Sequence, residues 1–155
     1  MRIFAVDPGP NMSAFVLWNT EEQRIENKGL VKNEAVEVLI SQGDFDMLAI
    51  EMIASYGMPV GQSVFWTCVA IGSFAKCLSI YPPHKLKFVY RKDVKLHFCG
   101  AVKAKDAHIS QVLKDLLEPG LKPREKPKGV LKGVKKDEWQ ALAIAIYTES
   151  LEKQK

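Results

Sequence analysis

Three carboxylates in this chain stand where a short element begins or ends. Asp7 closes the apolar run Ile3-Phe4-Ala5-Val6 and leads straight into Pro8-Gly9. Glu51 closes a second apolar run, Met47-Leu48-Ala49-Ile50. Asp137 opens a C-terminal helical pattern ahead of Ala141-Leu142-Ala143-Ile144-Ala145. Two strand-end acids and one at the mouth of a late helix can converge on one spot. Brought together they repel unless a cation lies between them, and hard divalent cations such as Mg²⁺ take oxygen ligands of this kind. Singly, two of these acids have plainer readings: Asp7 before Pro-Gly suits a turn, and Asp137 complements a helix dipole. Glu51, after a buried strand, has no such plain reading. As a set they predict a metal-dependent site. Asp44, Asp46 and Asp106 read as loop or helix-end acids.

The elements that must position these acids follow from the apolar pattern. Residues 2–7, 13–18 and 24–31 read as a meander of antiparallel strands. Residues 33–41 carry Ala35, Val36, Leu39 and Ile40 at helical spacing, and 45–51 form a nearly continuous apolar run suited to a buried strand. After a loop with Gly57 and Pro59, residues 61–80 predict a long apolar helix that must be covered on most sides, either by the rest of the monomer or by a second subunit. Pro82-Pro83 breaks it. A strand at 86–90, a basic helical turn or two at 91–98 and an amphipathic helix at 104–118 follow, the last with Ile109, Val112, Leu113, Leu116 and Leu117 on its apolar face. Residues 119–134 hold three prolines and three glycines among lysines, which excludes a regular helix or central strand and predicts a mobile basic loop. The final helix runs from about Lys135 to Lys153. One α/β domain over residues 1–155 accounts for the whole pattern.

Charge points to a partner. The net charge is only +4, but residues 122–136 carry seven basic side chains (Lys122, Arg124, Lys126, Lys128, Lys132, Lys135 and Lys136) against one acid, Glu125. A second basic region holds Lys85, Lys87, Arg91, Lys92, Lys95, Lys103 and Lys105. Either these are solvated faces or they bind a polyanion, and two such regions favour the polyanion. No apolar run is long enough to cross a bilayer. The N-terminus begins with a strand-like run, so no signal peptide is expected and the cytoplasm is the expected compartment. Cys68, Cys77 and Cys99 have no close partner in sequence and read as buried thiols. Trp18, Trp66 and Trp139 read as packing residues. His84, His97 and His108 read as surface or helix-end residues.

The motifs together resemble the RuvC family of Holliday junction resolvases, within the RNase H-like superfamily. Asp7-Pro8-Gly9 followed by Ser13-Ala14-Phe15 is similar to the family's first-strand motif, and Ala49-Ile50-Glu51 to its second acidic motif. Val94-Lys95, Gly100 and Ala104-Lys105-Asp106-Ala107, leading into Ile109-Ser110-Gln111-Val112, resemble its basic segment and the helix after it. Asp137 with Ala141-Leu142-Ala143-Ile144-Ala145 is similar to its C-terminal acidic helix. The resemblance covers nearly the whole chain in order. The short length and basic loop are compatible with a phage-type member, in which case the host cytoplasm is the compartment.

The resemblance implies an RNase H-like mixed β-sheet flanked by helices. It implies a homodimer, joined through helix 61–80, that binds four-way DNA junctions and forks. It also implies Mg²⁺-dependent hydrolysis, with Mn²⁺ as a substitute and two ions about 3.5–4 Å apart to activate water and steady the leaving group. Asp7 would bridge the ions, Glu51 would hold one, and Asp137 the other. One position departs from the family. An acid usually stands immediately before the Ala-Leu-Ala run, and here that residue is Gln140. It lies three residues after Asp137, on the same helix face, and offers a carbonyl oxygen without charge. Either three carboxylates and Gln140 suffice, or the chain is a weakened or inactive nuclease that binds branched DNA. A nuclease of RNA–DNA hybrids is a third possibility. For DNA, Lys85, Lys87, Arg91, Lys92, Lys95, Lys103 and Lys105 would form the cleft wall, and Lys122, Arg124, Lys126 and Lys128 its outer rim. Tyr56 would either stack on an opened base or pack on the core.

Overall fold

The computed structural model describes residues 1–78 and 85–155. Strands β1 (Arg2–Asp7), β2 (Met12–Asn19) and β3 (Arg24–Lys32) form an antiparallel meander. Helix α1 (Asn33–Gln42) leads to β4 (Met47–Met52), which pairs parallel to β1. Helix α2 (Gln62–Leu78) and strand β5 (Lys85–Tyr90) follow, β5 pairing parallel to β4. Helices α3 (Arg91–Cys99), α4 (Asp106–Leu117) and α5 (Glu138–Lys153) complete the chain. The five-stranded sheet runs β3-β2-β1-β4-β5. This is the expected α/β architecture, a mixed sheet with helices on both faces.

Strand alternation divides the core in two. Ile3, Ala5, Met47, Ala49 and Val89 face α5, where they meet Leu142, Ile144, Ile109 and Leu113. Phe4, Val6, Leu48 and Ile50 face the other way, toward Val36 and Ile40 of α1 and Ile71 and Phe74 of α2. Trp18 is fully buried on the α5 side, and its indole N–H donates to Glu149 Oε2 at 2.7 Å. A buried indole donor needs such an acceptor, and this one ties β2 to α5.

Several expectations change. Trp66 is not a core packing residue: it is 54% exposed, with Phe65 and Val69 beside it at 61% and 60%. Helix α2 is therefore covered by the monomer on only one side. Cys68 is exposed and Cys77 and Cys99 half-buried, so none is a buried thiol. Leu116 points outward from α4, because Ile109 and Leu113 already fill the contact with the core. Residues 119–134 form no helix or strand, as Pro and Gly dictate, but their second half is anchored. The Glu118 carboxylate accepts from the backbone N–H groups of Lys128, Gly129 and Leu131, and Leu131 is fully buried. The end of the predicted 61–80 helix, the Pro82-Pro83 break and His84 lie outside the described residues. Among the described residues, no helix is long and apolar enough to cross a membrane.

Candidate active site

Strand alternation carries Asp7 and Glu51 to the same face. Asp7 continues the Ile3-Ala5 parity and Glu51 the Met47-Ala49 parity, so both side chains project on the α5 side. β1 and β4 are neighbours with Val6 opposite Ile50, which puts Asp7 and Glu51 one register step further on. Adjacent strands lie about 4.8 Å apart. Two carboxylates at the carboxyl ends of adjacent parallel strands are thus a direct product of register.

The turn after Asp7 is braced. Gly9 N–H donates to Ser13 Oγ at 3.1 Å, Ser13 Oγ–H donates to Asn33 Oδ1 at 2.7 Å, and Asn33 Nδ2 donates to Gly9 carbonyl at 3.0 Å. A Cβ on Gly9 would stand 2.3 Å from the Met12 carbonyl oxygen, so the turn closes this tightly only with glycine.

α5 brings the third acid. Asp137 is the N-cap of α5, which begins at Glu138, three residues after the expected start at Lys135, and its carboxylate makes no capping bond. Lys136 turns the chain into the helix with a left-handed φ of 49°. Glu138 is buried and holds that turn: its Oε2 accepts from Lys135 N–H at 3.0 Å and from Lys28 Nζ at 3.2 Å. Gln140 is 7% exposed, and its side-chain amide makes no hydrogen bond among the described residues.

Electrostatics mark the spot. Burial pushes the Asp7 carboxyl up to about 7, with Glu51 adding to the rise, Arg91 opposing it, and Asp137 and Asp106 contributing smaller increases. Glu51 is also raised, by burial first, against the pull of Arg91. Negative charge here is incompletely compensated.

Arg91 is the residue whose place the sequence concealed. It follows Tyr90 at the end of β5, on the parity of Val89, which faces α5. Its Nη1 donates to both Glu51 oxygens at 3.2 and 3.3 Å, and its Nη2 donates to Asp106 Oδ2 at 2.7 Å. Burial disfavours its charge, but Glu51 and Asp106 more than restore it. Arg91 is committed to acids, unlike a free cleft-wall cation. Asp106, read as a helix-end acid, does start α4, yet it also belongs to this cluster. The signal that was available was its place beside Lys105 in a segment already singled out.

The other basic candidates divide by position. Lys95, one turn beyond Arg91, acts on Glu51 electrostatically. Lys92, Lys103 and Lys105 are exposed on α3 and the link to α4. Lys85 and Lys87 begin β5, so Lys85 sits about 17 Å from its carboxyl end. Glu152, near the far end of α5, is held below the usual carboxylate range by Lys155, with smaller help from Lys85 and Lys87. These two lysines stand away from the acid cluster. Lys122, Arg124, Lys126 and Lys128 are exposed, with Lys128 paired to Glu125 at 3.3 Å. Tyr56 is exposed in the loop after β4.

The backbone matches solved structures over its full length. It superposes on a Thermus thermophilus RuvC structure with a TM-score of 0.68 at 16% identity, covering 99% of this chain and 96% of that one. It matches T. thermophilus RuvC in complex with Holliday junction substrate with a TM-score of 0.66, again at 16% identity, 99% and 96% coverage. The fold is RuvC-like. At this identity the likeness establishes the fold. No family model and no curated protein matches the sequence.

Within the RuvC-like frame, the donor chemistry can be compared with a divalent cation. Asp7, Glu51 and Asp137 offer hard oxygens, and Gln140 an uncommitted amide, which is the ligand type Mg²⁺ takes. Among the described residues, no three His, Cys, Asp or Glu side chains are already gathered to hold an ion. The donor chemistry of these residues fits a divalent ion.

Proposed function

We propose that this chain is a divalent-metal-dependent, structure-selective endonuclease that resolves Holliday junctions and related branched DNA in the cytoplasm, the host's if it is phage-encoded. The observation that carries the reading is the placement of Asp7 and Glu51 side by side on the α5 face of a RuvC-like sheet. That one of the matched RuvC structures is a Holliday junction complex supports the substrate class.

In this reading Asp7 and Glu51 are the principal metal ligands, Asp137 joins them from the start of α5, and Gln140 adds a neutral oxygen. Bound Mg²⁺ or Mn²⁺, two ions per site, would offset phosphate charge and ease ionisation of the attacking water. The protein's part is to hold the acids on a rigid sheet edge and to bind the DNA backbone. Lys95 acts on Glu51, Lys92, Lys103 and Lys105 are exposed on α3 and the link to α4, and in this reading they and the basic segment Lys122–Lys128 hold the DNA backbone. Such contacts read shape more than sequence and weaken steeply with salt. Tyr56 is free to stack on an unpaired base.

Two opposing strands need two sites, so a homodimer belongs to this reading. The apolar face of Phe65, Trp66 and Val69 on α2 supports it. On β5, Leu86, Phe88 and Tyr90 alternate on the α2 side of the sheet and are also partly exposed, which widens the surface.

A second reading is a junction-binding protein that does not cut. Gln140 in place of an acid, and Arg91 on Glu51, favour it. Cleavage of a labelled synthetic four-way junction with Mg²⁺, Mn²⁺ or EDTA, beside gel-shift binding of the same DNA, separates the two. Paired metal-dependent nicks in opposing strands support the endonuclease. Tight binding without nicks supports the binder, and preference for an RNA–DNA hybrid overturns both.

A further inference from the structure

We infer that Arg91 is a tethered cation that competes with the incoming divalent ion for Glu51, and that Asp106 is the mooring that keeps it in place when Glu51 is given up. The inference rests on the reading of Asp7 and Glu51 as metal ligands.

The geometry has three parts. First, one nitrogen of Arg91 engages both oxygens of Glu51, at 3.2 and 3.3 Å. A cation approaching that carboxylate meets a positive charge already on both of its acceptors. These are long contacts for a charge-assisted pair, so they can yield. Secondly, the other nitrogen makes the tighter bond, 2.7 Å to Asp106. Asp106 is about half exposed, whereas the Glu51 side chain is 13% exposed. The stronger anchor therefore lies outside the pocket, on the first residue of α4. Thirdly, Arg91 starts α3 directly after β5, so its backbone is fixed by two regular elements while its side chain is long enough to swing. A guanidinium can hold two carboxylates at once through its forked donors, and losing one leaves the other intact.

This arrangement resolves a physical problem. Acids at the end of adjacent strands would repel in the absence of metal, and a buried unpaired carboxylate is costly. Arg91 supplies the missing charge to Glu51 until a divalent ion does so. Asp7 has no such hydrogen-bonded partner among the described residues. The same residue therefore stabilises the apo site and sets a threshold for metal entry.

The test is Mn²⁺ affinity without DNA, by calorimetry or by loss of the free-ion paramagnetic resonance signal, for the parent, Arg91→Gln, Arg91→Lys, Asp106→Asn and the Arg91→Gln/Asp106→Asn double variant. Arg91→Gln is expected to tighten binding about tenfold, because a competing charge a few ångströms away is gone. Arg91→Lys, which keeps the charge, is expected to stay within about threefold of the parent. Asp106→Asn removes both a nearby negative charge and the mooring, so its loss of affinity should be larger in the parent than in the Arg91→Gln background. Thermal melting of the metal-free proteins shows that each variant is folded. If the parent binds Mn²⁺ and Arg91→Gln binds no tighter, the competition is overturned while the metal-site reading stands. Equal cost of Asp106→Asn in both backgrounds overturns the mooring. If neither parent nor Arg91→Gln binds Mn²⁺, both the inference and the reading beneath it fall. Binding by Arg91→Gln alone would be the inference in its strongest form.

Discussion

Asp7 stands one register step beyond the Val6–Ile50 pair, which sets it beside Glu51 on the α5 face of the sheet. Burial and that neighbour lift its carboxyl to about 7. Between about pH 4, the unfolded value, and about 7 the folded protein keeps a proton on Asp7 that the unfolded chain has lost. This contribution to stability is therefore present at low pH and disappears as pH rises through that window. Asp7→Asn should raise the metal-free melting temperature at pH 8 by about 5–10 °C, or about 2–4 kcal/mol, and have little effect near pH 4. Calorimetric melting at both pH values checks this. A gain at pH 4 as large as at pH 8 would sink the electrostatic account. The same variant should abolish cleavage.

Gln140 lies in the first turn of α5, 7% exposed, and its side-chain amide makes no hydrogen bond among the described residues. A carboxylate there adds charge for a cation and is favoured by the helix dipole. Gln140→Asp is expected to raise single-turnover junction cleavage about tenfold or more while changing junction affinity less than about threefold. If cleavage is unchanged and the parent already cuts well, the amide is a sufficient ligand.

The α2 face predicts its own disruption. Trp66→Glu, with or without Phe65→Asp, should leave the fold intact, because these side chains touch little within the chain. Light scattering should then give the 17.4 kDa monomer where the parent gives twice that mass. Opposing-strand nicks should become uncoupled. A monomeric parent at micromolar concentration would remove the dimer from the proposal.

The lysines can be ranked by position. Lys95 acts on Glu51, while Lys85 sits at the opposite end of β5. Lys95→Ala should weaken junction binding about five- to tenfold and reduce the salt slope by about 1, whereas Lys85→Ala should change both little. Gel shifts across a salt series decide it. Equal losses would mean that DNA wraps further round the sheet edge than the acid cluster indicates.

The strands were legible because their signal is local: alternation in β1 and β2 and a continuous run in β4 are properties of a few residues each. The placement of Asp7 and Glu51 at strand ends was legible for the same reason, each being marked by the end of its run. Arg91 was not, because its partners Glu51 and Asp106 are 40 and 15 residues away and only the parallel register of β4 and β5 brings them together. In sequence it was one basic residue among seven. Trp66 misled for a related reason: an apolar helical stripe says that something covers it but not which molecule does. The anchoring of Lys128, Gly129 and Leu131 was hidden because Glu118, which accepts from their backbone N–H groups, carries no pattern of its own.

The bond between Trp18 and Glu149 spans 131 residues, and α5 covers the face on which Asp7 and Glu51 lie. During synthesis, β1 and β4 leave the ribosome long before α5 does. Their α5-side residues must wait uncovered, and Asp137 is absent throughout that interval. The acid constellation is thus assembled at the close of folding, when the non-local contacts are made. A nascent chain of this design therefore carries its two strand-end acids side by side, with the face they share uncovered, until translation has passed α5.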